Sequence, residues 1–228
     1  MYIVFSIIVA DASLELIPRE IASLPFIKKM ARTRGKKPSE MIFDISHLLP
    51  MKKMLPDQEK RGRPDVVHRV LLAILDSPLK LHLPLKIYLH TYRSRVFEVD
   101  PSTRLPRNYL RFLGLMEQLL LEGRVGSKDR PLIKDINLNI KSLVEMLSPK
   151  RKIALSEKGR MEDPMKLANE MVNQDTVLVV GAFPHGDFSE EVKGIIDEEI
   201  SLCEEVIPAS TAVCMLFSYL FYALRWSY

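Results

Sequence analysis

TVLVVGAFPHGDF, residues 176–188, is the stretch on which the fold turns. Its first five residues are apolar or β-branched without alternation, the pattern of a strand buried on both faces in a parallel sheet. Gly181 ends the run, and Gly181 and Gly186 permit close approach of backbone to a ligand. Ligands of α/β sheets bind outside the carboxyl ends of the strands, so residues 181–188 are where a small molecule would be expected. A plain strand-to-helix turn fits the spacing equally well.

Upstream of this run, residues 152–155 read as a strand, residues around 165–171 as a helix, and residues 136–147 as an amphipathic helix. Alternation of this kind argues for an α/β fold with a parallel sheet and crossover helices. Further back, residues 2–9 form an apolar first strand that ends at Asp11. Pro18 opens a helix through Met30, residues 41–45 are strand-like, and the charged run 52–63 is expected as a surface loop. Pro64 fits the first helical position. Val67, Leu71, Leu72, Ile74 and Leu75 then recur at helical spacing until Asp76-Ser77-Pro78 stops them. Residues 87–90 and 95–99 suit a hairpin, and Pro106 starts a helix to about Leu121.

The 228 residues are 47% hydrophobic, enough for a substantial core, and carry 33 Lys and Arg against 29 Asp and Glu. A net charge of +4 permits an anionic partner without requiring one. Cys203 and Cys214 lack metal spacing and are too few for a disulfide scaffold, so a reducing, cytoplasmic setting is expected. The apolar start, followed by Ala10-Asp11-Ala12, resembles a signal sequence but lacks the basic region that one needs. Residues 208–224 carry no charge and approach the length of a membrane span. A core or dimer helix is the preferred reading, and no membrane partner is expected.

Arginines fall in two groups, at Arg61 and Arg63 and at Arg104, Arg107 and Arg111. With Pro106 as the first residue of a helix, Arg107 and Arg111 are an i, i+4 pair and Arg104 sits just before them, a strip suited to successive phosphates. An exposed face neutralised by local acids is the alternative, but residues 103–116 contain none, which favours an anionic ligand. Tyr109 and Phe112 can stack on bases, although core packing is their commoner role. The basic run 28–37 is of a kind that is usually only solvated. Asp65 is close enough to hold Arg63 and is favourable near a helix N-terminus. Asp76 opposes the dipole at the far end of that helix, so something else should compensate it. His68, His82, His90 and His185 make no metal spacing, and neither a P-loop nor G-x-G-x-x-G is present.

Taken together, RGRPDVVH (61–68), LDSPL (75–79), IYLHT (87–91), PSTRLPRNYLRFLGLMEQLL (101–120), ALSEKG (154–159) and VVGAFPHGDF (179–188) closely resemble the ribosome-biogenesis pseudouridine methyltransferase family, in particular its archaeal members. The resemblance implies a SPOUT fold in a single domain over residues 1–228: a parallel sheet flanked by helices, a basic insertion, RNA-binding elements mainly in 52–111 and a C-terminal trefoil knot in 150–228. It implies a homodimer that uses S-adenosyl-L-methionine to methylate N1 of pseudouridine in small-subunit ribosomal RNA, with ribosomal assembly proteins as further partners. A non-enzymatic RNA-binding assembly factor is the alternative. By the same likeness Arg63, Arg104, Arg107 and Arg111 contact RNA, Asp65 steadies Arg63, and Asp76 is the catalytic acid near the target base. The cofactor is expected among Ser156, Gly181, Gly186, Leu202, Cys203, Ile207 and Pro208. ISLCEEVIPAS (200–210) departs from the family in length here.

Overall fold

A computed structural model describes residues 4–47 and 54–226. Among these, eight strands form one sheet: β1 (Phe5–Ala12), β2 (Leu85–Thr91), β3 (Val96–Val99), β4 (Arg124–Gly126), β5 (Pro131–Asp135), β6 (Arg151–Met161), β7 (Thr176–Gly181) and β8 (Glu198–Ser201). Their spatial order is β4-β5-β3-β2-β1-β7-β6-β8. The core of the sheet is parallel, β2-β1-β7-β6-β8, and β3, β5 and β4 extend it by antiparallel pairing.

β1 and β7 lie side by side, Ile8 opposite Val179, and every residue of β1 is buried. Alternate side chains serve the two faces. Phe5, Ile7, Val9, Leu178 and Val180 face the larger apolar cluster, whereas Ile8, Ala10, Val177 and Val179 face the smaller one. Burial of each such side chain contributes about 1.5–3 kcal/mol. That explains why the continuous apolar pattern at 176–180 marks a central strand.

The larger cluster is covered by α3 (Pro64–Leu75), α4 (Tyr109–Glu122), α6 (Pro164–Met171) and α8 (Ala209–Trp226). The smaller one is covered by α5 (Ile140–Leu147) and α7 (Glu190–Lys193). A satellite cluster around Ile21, Ile27, Met41 and Phe43 lies beneath α1 (Arg19–Ala22) and α2 (Pro25–Thr33). The uncharged C-terminal run is α8, packed against α3 and α6 through Val213, Leu216, Phe217 and Leu220. No helix among the described residues is long and apolar enough to cross a membrane.

Several expected elements are corrected. The helix expected over 18–30 is two helices, because Pro25 forces Leu24 into extended backbone and restarts the helix at its first position. Residues 41–45 make only an isolated bridge, Leu16 to Ile42, since the Ile42 N–H donates to the Glu117 carboxylate instead of a strand. α4 starts at Tyr109 rather than Pro106, because Asn108 supplies the cap, its Oδ1 accepting the Arg111 N–H at 3.1 Å. α5 likewise starts late, at Ile140, capped by Asn139. The start of the first expected strand, residues 2–3, lies outside the described residues, as does the start of the loop expected over 52–63.

Candidate functional site

A cleft of about 450 Å³ opens where β7 and β8 end and where the part of β6 paired to β7 stops. Ser156, Gly181, Gly186, Leu202, Cys203, Ile207 and Pro208 all line it, so the residues singled out from three separate loops meet in one place. Leu155, Val180, Leu202 and Ile207 make its walls largely apolar. Its opposite wall is Arg63, Val66, Arg69 and Val70 from the first turns of α3. Of that wall, Val66, Arg69 and Val70 were not anticipated; the only local signal was the i, i+4 spacing of Asp65 and Arg69.

The 181–188 loop is tied down from both sides. Ala182 donates to the Ala10 carbonyl at 3.0 Å and accepts from Ser13 N–H at 2.9 Å. Asp11, at a positive φ of 48° where β1 is irregular, accepts from the Ser189 N–H at 2.6 Å and hydroxyl at 2.8 Å. His90 Nδ1 accepts the Asp11 N–H at 3.3 Å, so the ring proton sits on Nε2, 3.0 Å from Glu191 Oε1. Burial pushes the His90 pKa down, outweighing the pull of Glu191 and Asp11, and keeps the ring neutral. Spacing alone gave no metal site, yet Asp11, His90 and Glu191 place potential ligand atoms within 4.8 Å of one another. The facing atoms are already engaged in these hydrogen bonds, and the group acts as a clamp on the loop. Gly186 has φ +102°, a conformation that suits only glycine, and it backs onto Glu59 and Lys60.

At the rim, Arg63 is held by Asp65 through paired bonds, Nε to Oδ1 at 2.7 Å and Nη2 to Oδ2 at 2.8 Å. Ser13 Oγ accepts the Arg63 N–H at 2.8 Å. The Arg63 bond and charge hold the Asp65 carboxyl below its ordinary value despite partial burial. Its contribution to stability is therefore present above the unfolded carboxylate pKa and is lost as pH falls through the lower folded value. Arg69 adds a second contact to Asp65 at 3.1 Å.

The second arginine group packs on the same helix. His68 Nε2 donates to the Pro106 carbonyl at 2.8 Å and its ring stacks on Phe112 at 4.2 Å. Phe112 is thus core, and Tyr109 donates its hydroxyl to Asp44 at 2.7 Å. Arg104, Arg107 and Arg111 are exposed. Because α4 begins at Tyr109, Arg107 lies before the helix, and the expected i, i+4 pairing of Arg107 and Arg111 on one helical face does not form. Arg107 instead reaches Asp76 at 3.1 Å, which supplies the compensation that a carboxylate at the C-terminus of α3 needs. Asp76 stands about 16 Å along α3 from Asp65, so within one chain it is remote from the cleft. Arg61 is also relocated. It is 1% exposed and bonded to Glu15, so it cannot meet a phosphate.

Residues 7–220 match the family model described as EMG1/NEP1 methyltransferase. The chain belongs to the EMG1/NEP1 methyltransferase family. Curated EMG1/NEP1 relatives named "Ribosomal RNA small subunit methyltransferase Nep1" include that of Staphylothermus marinus, 45% identical over 86% of both chains. That of Sulfurisphaera tokodaii is 42% identical over 97% of this chain and 98% of its own. Among solved structures, Archaeoglobus fulgidus Nep1 bound to S-adenosylhomocysteine superposes with a TM-score of 0.85 at 35% identity, covering 98% of this chain and 99% of its own. The EMG1/NEP1 match takes in the cleft and both arginine groups.

Proposed function

We propose that this member of the EMG1/NEP1 family transfers a methyl group from S-adenosylmethionine to N1 of a pseudouridine in small-subunit ribosomal RNA. It acts as a cytoplasmic homodimer during assembly of the small ribosomal subunit. The observation that carries this reading is the convergence of the three loops on one cleft with Arg63 at its rim. The cleft suits a nucleoside: its walls mix apolar side chains with polar ones at the rim, and backbone groups of residues 202–207 can hold an adenine. Bound there, S-adenosylmethionine supplies an electrophilic methyl group. Arg63 holds an RNA phosphate or the target base beside it, and Arg104, Arg107 and Arg111 bind phosphates farther along the RNA. We assign Asp76 to holding Arg107, as Asp65 holds Arg63, instead of to proton transfer at the base. The single-domain reading is supported by one apolar cluster running from Phe5 to Ala223. The knotted reading of 150–228 is supported by the double approach of β6 to β8, where Leu155 and Arg160 both face Ile200. The exposed stripe Thr211, Cys214, Ser218 and Tyr222 on α8 is the face we assign to the second copy.

Calorimetric titration with S-adenosylmethionine should show saturable binding, and a small-subunit RNA hairpin carrying pseudouridine should be methylated. Methylation absent from a folded chain that binds both would leave the assembly-factor reading in its place.

Asp65→Gly separates the two surfaces. It removes a carboxylate favourable at the helix N-terminus, a loss of roughly 0.3–1 kcal/mol, and adds a flexible residue in the first turn at a cost of about 1 kcal/mol. Arg63, without its partner, samples more rotamers, and RNA affinity falls on the order of tenfold, the scale of one charged hydrogen bond. Cofactor affinity stays near that of the unaltered chain, and Asp65→Asn is milder throughout. Parallel titrations with RNA and S-adenosylmethionine check this. Equal loss of both in a folded protein would show that Asp65 serves the cleft itself.

A further inference from the structure

The densest unneutralised basic stretch lies outside the arginine groups. Residues 21–39 contain no Asp or Glu, while Lys28, Lys29, Arg32, Arg34, Lys36 and Lys37 are all exposed. Take these six from the 33 Lys and Arg, and the remaining 27 are outnumbered by the 29 acids. The net positive charge of the chain is therefore concentrated here.

Only part of this charge has a structural use. Arg34 and Lys36 share one carboxylate, Glu117, which is 1% exposed on α4 and also accepts the Ile42 N–H. That tie clamps the end of α2 beside α4, about 9 Å along the helix axis from Arg111. Lys28, Lys29, Arg32 and Lys37 have no ion-pair partner among the described residues. On α2, Lys28 and Arg32 are i, i+4 and Lys29 and Arg32 are i, i+3, so like charges share one face. Such pairs oppose the helix, and a bound polyanion is what relieves them. Phe26, one turn before Lys29 and Met30, is 50% exposed on the same short helix. An aromatic ring among unpaired cations suits bases and phosphates better than an acidic protein surface.

We propose that Phe26, Lys28, Lys29, Arg32 and Lys37 form a second RNA-backbone surface that continues the arginines of the α4 entrance and grips RNA flanking the target. This rests on the RNA substrate proposed above. Its cations contact phosphates and Phe26 stacks on a base face, neither of which carries sequence preference. The buried Glu117 pair fixes the orientation of the surface.

The test is binding of a small-subunit RNA hairpin by fluorescence anisotropy across a KCl series. It compares the unaltered chain with Lys28→Gln/Lys29→Gln/Arg32→Gln, which keeps Arg34 and Lys36 on Glu117. A control, Lys86→Gln/Lys141→Gln/Lys150→Gln, removes equal charge from exposed sites at the amino ends of β2 and β6 and on α5. Each lost phosphate contact lowers the slope of log K against log[salt] by about 0.7–0.9, so the α2 variant should lose roughly 2 and bind on the order of 100-fold more weakly at 0.1 M salt. The control keeps its slope, and S-adenosylmethionine affinity is unchanged in both. A slope unaltered in the α2 variant, or lowered equally in the control, overturns this proposal while leaving the functional reading in place. Failure of the unaltered chain to bind the hairpin would overturn both.

Discussion

Glu15→Ala is expected to lower stability by about 3–5 kcal/mol, the scale of breaking a buried ion pair from one side. Arg61 forks onto Glu15 through Nε to Oε1 at 2.6 Å and Nη2 to Oε2 at 2.8 Å, with Nη1 donating to the Pro56 carbonyl at 3.2 Å. Its guanidinium also lies 4.8 Å from the centre of the Tyr92 ring. Burial works against the Arg61 charge, but the hydrogen bonds and field of Glu15 outweigh it and hold the pKa above its ordinary value. Removing the carboxylate leaves a cation with no exit to water. Glu15→Gln, which keeps an acceptor, should lose less, and Arg61→Met/Glu15→Met should recover much of the difference because no charge stays buried. Urea midpoints of the three variants check the order. A Glu15→Ala midpoint equal to that of the unaltered chain would mean the pair contributes nothing. The loss should also reach the cleft, since Arg61 anchors the segment that sets Lys60 5.3 Å from the Phe183 ring and Glu59 behind Gly186.

Arg61 also shows where sequence stops being legible. A charged run containing Arg61-Gly62-Arg63 looks like a surface loop, and the two arginines look equivalent. Arg63 has its partner two residues away, so Asp65 could be named from spacing. Arg61 has its partner 46 positions away, brought to it only by tertiary packing, and no local pattern distinguishes it. Elements followed the same division. β1, β7 and α3 are legible because burial on both faces, or on one stripe, writes a pattern into neighbouring residues. β4, β5 and β8 are short strands at or near the sheet edges with charged members such as Arg124, Lys134, Glu198 and Glu199, and they were missed for that reason. Their charges are balanced across strands, Lys134 on Glu98 and Arg151 on Glu198, which only the register reveals.

The cleft residues lay at the other extreme. Gly181, Gly186, Ser156 and Leu202 come from three loops with no spacing relation to one another. Strand order brings them together, since β7 lies beside β6 and β6 beside β8. The block order of the family resemblance carried that information where periodicity did not. The arginines at 104–111 fell between these cases. Their exposure was legible, but a single capping residue, Asn108, moved the helix start and sent Arg107 to Asp76.

Gly159→Ala is expected to damage the cleft more than any substitution at its rim. A Cβ at Gly159 would lie 2.4 Å from Ile200 N, 2.5 Å from Glu199 C and 2.7 Å from Glu199 O. These are backbone atoms of β8, so no side chain can rotate away to make room. The contact arises where β6 shifts register, with residues 156–159 displaced between the pairings of Leu155 and Arg160 to the same Ile200. Either β6 or β8 must move, and overpacking of this kind costs about 1–3 kcal/mol or more. β8 ends at Ser201 and continues directly into Leu202 and Cys203, all three of which line the cleft, and Ser156 lines it from the displaced part of β6. Both sides of the contact therefore shape the cleft proposed to hold the cofactor. Calorimetry should show S-adenosylmethionine affinity reduced at least tenfold, about 1.4 kcal/mol, together with a lower melting temperature. RNA affinity should change less, because the arginines proposed to bind RNA, Arg63, Arg104, Arg107 and Arg111, stand at the α3 and α4 entrances. Gly159→Val should exceed Gly159→Ala in both readouts. A Gly159→Ala protein that melts and binds cofactor as the unaltered chain does would mean that β6 and β8 can separate there freely, and that the close crossing does not shape the cleft.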